Sequence, residues 1–179
     1  MRKDARERRQ RLIEVAATLL EKEGYDIAVE RIAEAAGIGR GTVYRNFADR
    51  SALMLAIMRL RLEQAFVAID DDPNPFDAFV TFLTRIGLLS ALHAPAMLSL
   101  AEKPSALGEW QALQARAEEL FAIPLRRAQA AGRIRGDLTV QDVNHIAQML
   151  QAVAAPAAPE HRDEILARAV RLLVEGIRA

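Results

Sequence analysis

Two clusters of basic residues stand out in this sequence as side chains whose spacing could do chemistry. Arg40, Arg45 and Arg50 recur every five residues in a segment whose only acid is Asp49, and residues 1–11 hold six Lys or Arg against two acids. A guanidinium offers a rigid fork of N–H donors that matches phosphate oxygens and the edge of guanine. A basic run alone is usually a solvated surface, but two clusters near turn glycines are typical of a surface that meets a polyanion.

The overall composition limits the class of protein. The chain has 179 residues, which allows one domain or two small ones, and its 24 Lys and Arg balance 24 Asp and Glu. Zero net charge excludes nucleic-acid binding through bulk charge alone. The absence of cysteine excludes disulfide scaffolds, thiolate metal sites and thiol nucleophiles. No secretory signal is visible, and the longest apolar stretch, 86–101, is interrupted by polar residues and proline. We therefore expect a soluble, cytoplasmic protein without a membrane span.

Almost the whole chain has the pattern of α-helices. Apolar residues from Leu12 to Leu20 recur at i, i+3, i+4 and i+7, and no stretch alternates apolar and polar residues as a strand does. Thr139 is placed to cap a helix. The sequence predicts an all-α fold of about nine helices. After a first helix that ends at Gly24, the predicted helices cover 29–36, 40–47, 49–70, 75–92, 95–103, 105–131, 139–154 and 160–177.

The segment Val29 to Asn46 has the features of a helix-turn-helix. Two short helices that cross closely need a small residue at the crossing, which Ala33 supplies, and a turn with positive φ, which Gly37 supplies. The second helix then projects its polar side chains outward, as a helix that lies in a DNA major groove does. The alternative is a helical hairpin in an all-α core, but this segment has little apolar surface to bury.

The stretch IAEAAGIGRGTVYRNFADRSAL resembles the N-terminal signature of the tetracycline-repressor (TetR) family, and RRQRLIEVAATLLEKEGYD resembles the first helix of that family. The resemblance implies a three-helix head, residues 1–67 with a reading unit of about 29–47, that a long fourth helix joins to a helical ligand-binding and dimerisation domain, 68–179. The chain departs from the family at Ile27-Ala28-Val29, where members commonly have a capping Thr or Ser. Either Asp26 caps the second helix, or an amide there is left to water or phosphate.

The resemblance also implies roles for individual residues of the second basic cluster. We expect Arg40 and Arg45 to read bases, because a guanidinium donates two parallel hydrogen bonds to guanine. Asn46 either pairs with adenine or caps its own helix, and Gly41 permits close approach to the duplex. The residues implied to contact phosphates are Thr42, Tyr44 and Arg50.

A single helix-turn-helix reads few base pairs, so we expect a homodimer on a palindromic operator of double-stranded DNA. Two C-terminal helices have apolar stripes wide enough to need a partner; the alternative is a well-buried terminal helix in a monomer. The residues predicted at the dimer interface are Val143, Ala147, Leu150, Ile165, Leu166, Ala169 and Leu173.

Aromatic residues and methionines cluster in the second half of the chain, where they either line a ligand cavity or fill the core. The resemblance implies a small apolar or amphipathic effector that releases the regulator from DNA. His93, His145, Arg85 and Gln148 are candidate polar contacts, and we expect no cofactor or metal. The residues predicted to line the pocket are Phe79, Phe82, Met97, Trp110, Phe121 and Met149.

Other functions are less consistent with the sequence. Neither a G-x-S-x-G, an H-E-x-x-H nor a phosphate-loop pattern occurs, so we do not expect an enzyme. A helical DNA-binding or structural protein without sequence preference or effector is the remaining alternative. Similar affinity for an operator and for random DNA would favour that alternative.

Overall fold

The computed structural model describes residues 2–24, 27–94 and 106–177. These residues form helices and their connections, which confirms the all-α prediction. The helix predicted at 95–103, the capping candidate Asp26 and the pocket candidate Met97 lie outside the described residues. The helices are α1 (Arg2–Glu23), α2 (Val29–Ala35), α3 (Arg40–Asn46), α4 (Arg50–Asp70), α5 (Pro75–Leu92), α6 (Leu107–Ala130), α7 (Val140–Ala154) and α8 (Pro159–Ile177).

The chain divides into two compact units. The first contains Met1–Leu60 and Pro95–Trp110, and the second contains Arg61–Ala94 and Gln111–Ala179. The boundary between Leu60 and Arg61 falls inside α4, so that helix contributes to both units. The predicted boundary, after residue 67, also falls inside α4.

One apolar core holds α1 to α4 together in the first unit. The apolar stripe of α1 supplies a continuous row of buried side chains, because residues three and four apart lie on one face of a helix. Val43 of α3 is 2% exposed, and Phe47, the residue that follows α3, is 3% exposed. Both belong to this core. The largest buried members are Leu12, Ile13, Leu20, Ile32, Leu53, Met54 and Ile57.

In the second unit, α5 packs against both α7 and α8, which also pack against each other. A Cβ at Gly87 of α5 would lie 2.9 Å from the Leu150 Cβ and 3.4 Å from Leu166 Cδ2, so only glycine allows this approach. Aromatic rings fill the space between α4, α5 and α6. The Phe82 ring meets the Phe66 and Phe121 rings edge-on, at centroid distances of 6.1 and 5.5 Å.

This packing corrects part of the predicted dimer interface. Val143, Ala147, Leu150 and Leu166 are at most 4% exposed, because they form the contacts of α7 and α8 within the chain. The remaining predicted interface residues, Ile165, Ala169 and Leu173, are half-buried on α8. Periodicity identified an apolar stripe correctly, but the chain covers most of it itself.

Several helix ends are fixed by side chains. Thr139 caps α7 by accepting from the Asp142 amide at 3.1 Å, while the Asp142 carboxylate accepts from the Thr139 amide at 2.8 Å. Asn74 caps α5 by accepting hydrogen bonds from the Phe76 and Asp77 amides through its side-chain oxygen. At the C-terminal end of α4, Arg127 of α6 donates to the carbonyls of Asp70 and Asp72, both at 3.0 Å. The helix α6 continues through Pro124, which is buried.

The helix α5 has the length and the mean hydropathy, 1.3, of a membrane-spanning helix. Eight of its residues, Gly87 among them, are nevertheless buried in the structure. Core packing in the second unit therefore accounts for its apolar character.

His93, at the C-terminal end of α5, is a buried polar residue in the second unit. It is 3% exposed, and among the described residues its Nε2 has no hydrogen-bond partner. Burial, together with the positive charge of Arg61, lowers its pKa to about 4. The imidazole is therefore neutral at physiological pH.

Replacing Gly87 by alanine should destabilise the protein. The new Cβ would press on the Leu150 Cβ, which cannot rotate away, and overpacking of this kind outweighs the gain in helix propensity. We expect a net loss of about 1–2 kcal/mol in the free energy of unfolding, measured by urea denaturation. Gly108→Ala is the matched control, since Gly108 lies in the first turn of α6 and nothing lies within 4 Å of the added Cβ. It should be neutral or slightly stabilising, and equal effects of the two changes would contradict the close helix contact.

His93 should make the protein less stable in mild acid. Because its folded pKa lies below the unfolded value of 6.5, the unfolded state takes up the proton first as the pH falls from about 6.5 to about 4. The free energy of unfolding should fall by up to about 1.4 kcal/mol per pH unit more steeply than in a His93→Gln variant. Equal slopes for wild type and His93→Gln would show that His93 is not buried in the neutral form.

Candidate nucleic-acid interface

The turn between α2 and α3 is fixed by backbone geometry. Gly37 has a φ of +65°, a conformation that glycine adopts without strain. Its amide donates to the Glu34 carbonyl, and the Ile38 amide donates to the Ala33 carbonyl, both at 3.0 Å. This pair of hydrogen bonds is the Schellman arrangement that ends a helix sharply. The chain therefore turns within four residues and begins α3 at Arg40.

Packing determines which side of α3 faces outward. Ile32 and Ala33 of α2 and Val43 of α3 are at most 4% exposed and lie at the contact between the two helices. Neither helix has a side-chain cap, since Ala28 and Gly39 occupy the N-cap positions. Packing rather than capping therefore holds the pair together. The residues of α3 left exposed are Arg40, Gly41, Tyr44 and Arg45.

Arg40 is exposed and already paired. Its Nη1 lies 2.7 Å from Glu30 Oε1 on α2, and its guanidinium lies 5.5 Å from the centre of the Tyr44 ring. The hydrogen bond to Tyr44, followed by the charge of Glu30, raises the pKa of Arg40 above its ordinary value. The cation is thus held over the exposed surface of α3 by one acid and one aromatic ring.

Thr42 organises the rest of the exposed surface. Its hydroxyl oxygen accepts from Arg45 Nη2 at 2.7 Å, and its carbonyl accepts from Asn46 Nδ2 at 2.7 Å. Asn46 is half-buried, and this hydrogen bond ties its side chain to its own helix. A Cβ added at Gly41 would lie near only the Arg45 guanidinium, at 3.8 Å. Because glycine has no side chain, no group projects from the helix surface at this position.

Arg50 lies at the start of α4 and is half-buried. Its Nη1 donates to the Ile27 carbonyl at 2.6 Å, across 23 residues of sequence. It therefore fixes the segment ahead of α2.

The ion pair of this surface is weak because water screens it. The side chains of Arg40 and Glu30 are 62% and 55% exposed, and ion pairs exposed in this way contribute little to stability. Arg40 can therefore exchange Glu30 for another anionic partner with little loss of stability.

Two contacts of this surface were not predicted from the sequence. Glu30 pairs with Arg40, and the guanidinium of Arg9 in α1 lies 4.6 Å from the centre of the Phe47 ring. The spacing of Arg6, Arg9 and Ile13 along one side of α1 was a signal for the second contact. No local signal pairs Glu30 with Arg40, since they lie on different helices.

The predicted pocket residues do not form one group. Phe79, Phe82 and Phe121 are at most 2% exposed in the core of the second unit. Trp110 is half-buried in the first unit, and Met149 is 52% exposed on α7. Among the described residues, no group of three His, Asp or Glu side chains is arranged to hold a metal ion.

Comparison with known proteins places this geometry in a family. Residues 12–57 match the model of bacterial regulatory proteins of the tetR family, and residues 74–179 match that of the transcriptional regulator SbtR-like C-terminal domain. An HTH-type transcriptional regulator of Staphylococcus aureus (strain USA300) is 45% identical over 76 residues. That match covers 40% of this chain and 41% of the relative, so the chain spans less than half of its length.

Solved structures share the fold over nearly the whole chain. The TetR transcriptional regulator SCO0520 from Streptomyces coelicolor has a TM-score of 0.74 at 23% identity, covering 95% of this chain and 98% of that chain. RolR, solved in complex with resorcinol, has a TM-score of 0.59 at 23% identity, covering 96% and 90%. With both family models matched and an exposed, arginine-bearing α3 after a sharp turn, the chain belongs to the TetR family of bacterial regulatory proteins.

Proposed function

We propose that the protein is a repressor that binds a palindromic operator as a homodimer and is released by a small-molecule effector. The observation that carries this proposal is the exposed surface of α3, where Arg40, Tyr44 and Arg45 project from a helix whose other side is buried. A helix exposed in this way fits the major groove of DNA. Acting on DNA, the regulator would work in the cytoplasm.

The exposed residues divide into two kinds of contact. Arg40 and Arg45 are proposed to read bases, because their guanidinium groups lie at the surface and match the edge of guanine. Thr42, Tyr44 and Arg50 are proposed to bind phosphates, which set the position of α3 but carry little sequence information. Gly41 would let the helix approach the bases, and Asn46 would act mainly as the cap of α3.

The dimer is proposed to form through the outward sides of α7 and α8. Met149 and Val153 of α7 are 52% and 48% exposed, and Leu172 of α8 is 58% exposed. Ile165, Ala169, Leu172 and Gly176 recur along α8 at i, i+4, i+7 and i+11, so small and branched residues share one stripe. Apolar stripes on two neighbouring helices fit a four-helix interface with a second copy, whose two reading helices would lie about 34–36 Å apart.

The effector is proposed to be a small apolar or amphipathic molecule bound in the second unit. The aromatic cluster around Phe82 supplies apolar surface, and the buried His93 Nε2 supplies a polar group without a partner among the described residues. RolR, which shares the fold, is solved with resorcinol, a molecule of that chemical class. Release would follow because the effector favours a dimer whose reading helices no longer match the operator spacing.

Replacing Arg45 by alanine should weaken binding to an operator selected from random duplexes and relax one position of that operator. The expected loss is about 1–3 kcal/mol, which is roughly 5- to 150-fold in Kd by fluorescence anisotropy. Tyr44→Phe should instead weaken binding to all sequences about equally, because a phosphate contact does not depend on the base sequence. Arg59 is an exposed arginine on α4 outside this surface. Arg59→Ala is therefore the charge-matched control, and it should change neither the affinity for the operator nor the sequence preference.

Unchanged affinity and specificity in Arg45→Ala would remove Arg45 from the base-reading set. Equal wild-type affinity for the selected duplex and for random DNA would favour the alternative, a helical DNA-binding protein without sequence preference.

Replacing Leu172 by glutamate should convert the dimer to monomers and weaken operator binding, because two carboxylates would face an apolar interface. The residue is exposed in the single chain, so folding should survive. Light scattering checks the mass, and anisotropy checks the affinity. Val67→Glu, on α4 and 71% exposed, is the matched control and should leave the dimer intact. A dimer that persists in Leu172→Glu at micromolar concentration would count against this interface.

A further inference from the structure

The first helix extends well beyond the core that it helps to form. It begins at Arg2, whereas its first buried side chain among those described is Leu12. Residues 5–11 are all exposed. At 1.5 Å per residue, the extension from Arg2 to Arg11 is about 15 Å long. Core packing in the described chain does not account for this part of α1.

The basic residues of the extension are sorted by helix face. Arg6 and Arg9 precede Ile13 by seven and four residues, so they continue the side of α1 that is buried from Leu12 onward. The acids Glu7 and Glu14 lie across α1 from Arg9 and about a quarter of a turn around the helix from Arg6, whereas Arg11 lies on the side opposite both arginines. The side that Arg6 and Arg9 share carries no acid among the described side chains, and none of the described residues forms an ion pair with either arginine. We call Arg6 and Arg9 the basic stripe of α1.

A direct contact places this stripe beside the reading helix. The Arg9 guanidinium lies 4.6 Å from the centre of the Phe47 ring, and Phe47 is the residue that ends α3. A cation held over an aromatic ring keeps its N–H donors free at the ring's edge. Arg6 lies one turn farther out along α1. The basic stripe therefore begins where α3 ends and leads away from it.

We infer that the basic stripe of α1 is a second DNA-binding surface, which takes the backbone phosphates flanking the base pairs read by α3. This inference rests on the proposed function and extends its contact surface beyond the helix-turn-helix. Phosphates rather than bases are the expected partners, because the stripe lies outside α3, the helix proposed to enter the major groove. The stripe adds two positive charges per subunit to the footprint of a protein whose net charge is zero.

The test uses the full-length protein with both arginines changed, Arg6→Gln and Arg9→Gln. The slope of log K against log salt should become shallower by about 0.9 for each phosphate that the variant no longer neutralises, or about 2 per subunit for the double variant. The affinity deficit should grow as salt is lowered. Arg11→Gln is the matched control, since it removes the same charge from the same helix on the opposite side, and it should keep the wild-type slope.

Two further measurements keep the inference falsifiable. Because Arg9 packs on Phe47, Arg9→Gln can destabilise the three-helix head. Arg6→Gln alone removes no described packing contact, and it should still make the slope of log K against log salt shallower by about 1 per subunit. Trimming the flanks of the selected duplex should weaken wild type and leave the double variant unchanged, since only wild type uses the flanking phosphates.

The outcomes separate this inference from the proposed function. If wild type prefers the selected duplex while Arg6→Gln keeps its affinity and salt slope, the basic stripe is a solvated surface and only the inference fails. An equal change in Arg11→Gln would also overturn it, because the effect would then be one of bulk charge. If wild type shows no sequence preference at all, the proposed function fails first.

Discussion

The turn at Gly37 is the constraint on which the exposed surface of α3 depends. Its positive φ lets the Ile38 amide reach back to the Ala33 carbonyl, so α2 ends at once and α3 begins three residues later, at Arg40. Val43 then enters the core, and Arg40 and Arg45 are left outside. A side chain at Gly37 would meet no neighbouring atom within 4 Å. The requirement for glycine there is one of backbone conformation rather than of space.

The second unit depends on a different glycine for a different reason. At Gly87 the backbone is ordinary helix, and the constraint is the closeness of Leu150 and Leu166. Close packing of α5, α7 and α8 buries the inner stripes of these helices and leaves other apolar residues, Leu172 among them, at the surface. The same helices therefore fill the interior of this unit and also leave apolar side chains exposed on their outer sides.

Much of this arrangement could be predicted from sequence, because the signals are local. The glycine at position 37, the cap at Thr139 and the breaks around Pro75 fix helix ends within a few residues. Contacts between helices could not be predicted in this way. Periodicity marks Leu150 as apolar but does not say which helix covers it, and nothing near Arg40 in the sequence identifies Glu30 as its partner. The extension of α1 back to Arg2 was missed because it has no apolar stripe of its own.

The exposure of Arg40, Tyr44 and Arg45 has a consequence for how such a head can change. Their side chains contribute almost nothing to the packing that supports α3, which Val43 and Phe47 supply from the other side. Surface substitutions of this kind usually alter stability by less than about 0.5 kcal/mol. The DNA contacts proposed for α3 can therefore change, by evolution or by design, through the exchange of a few outward residues on an unchanged scaffold.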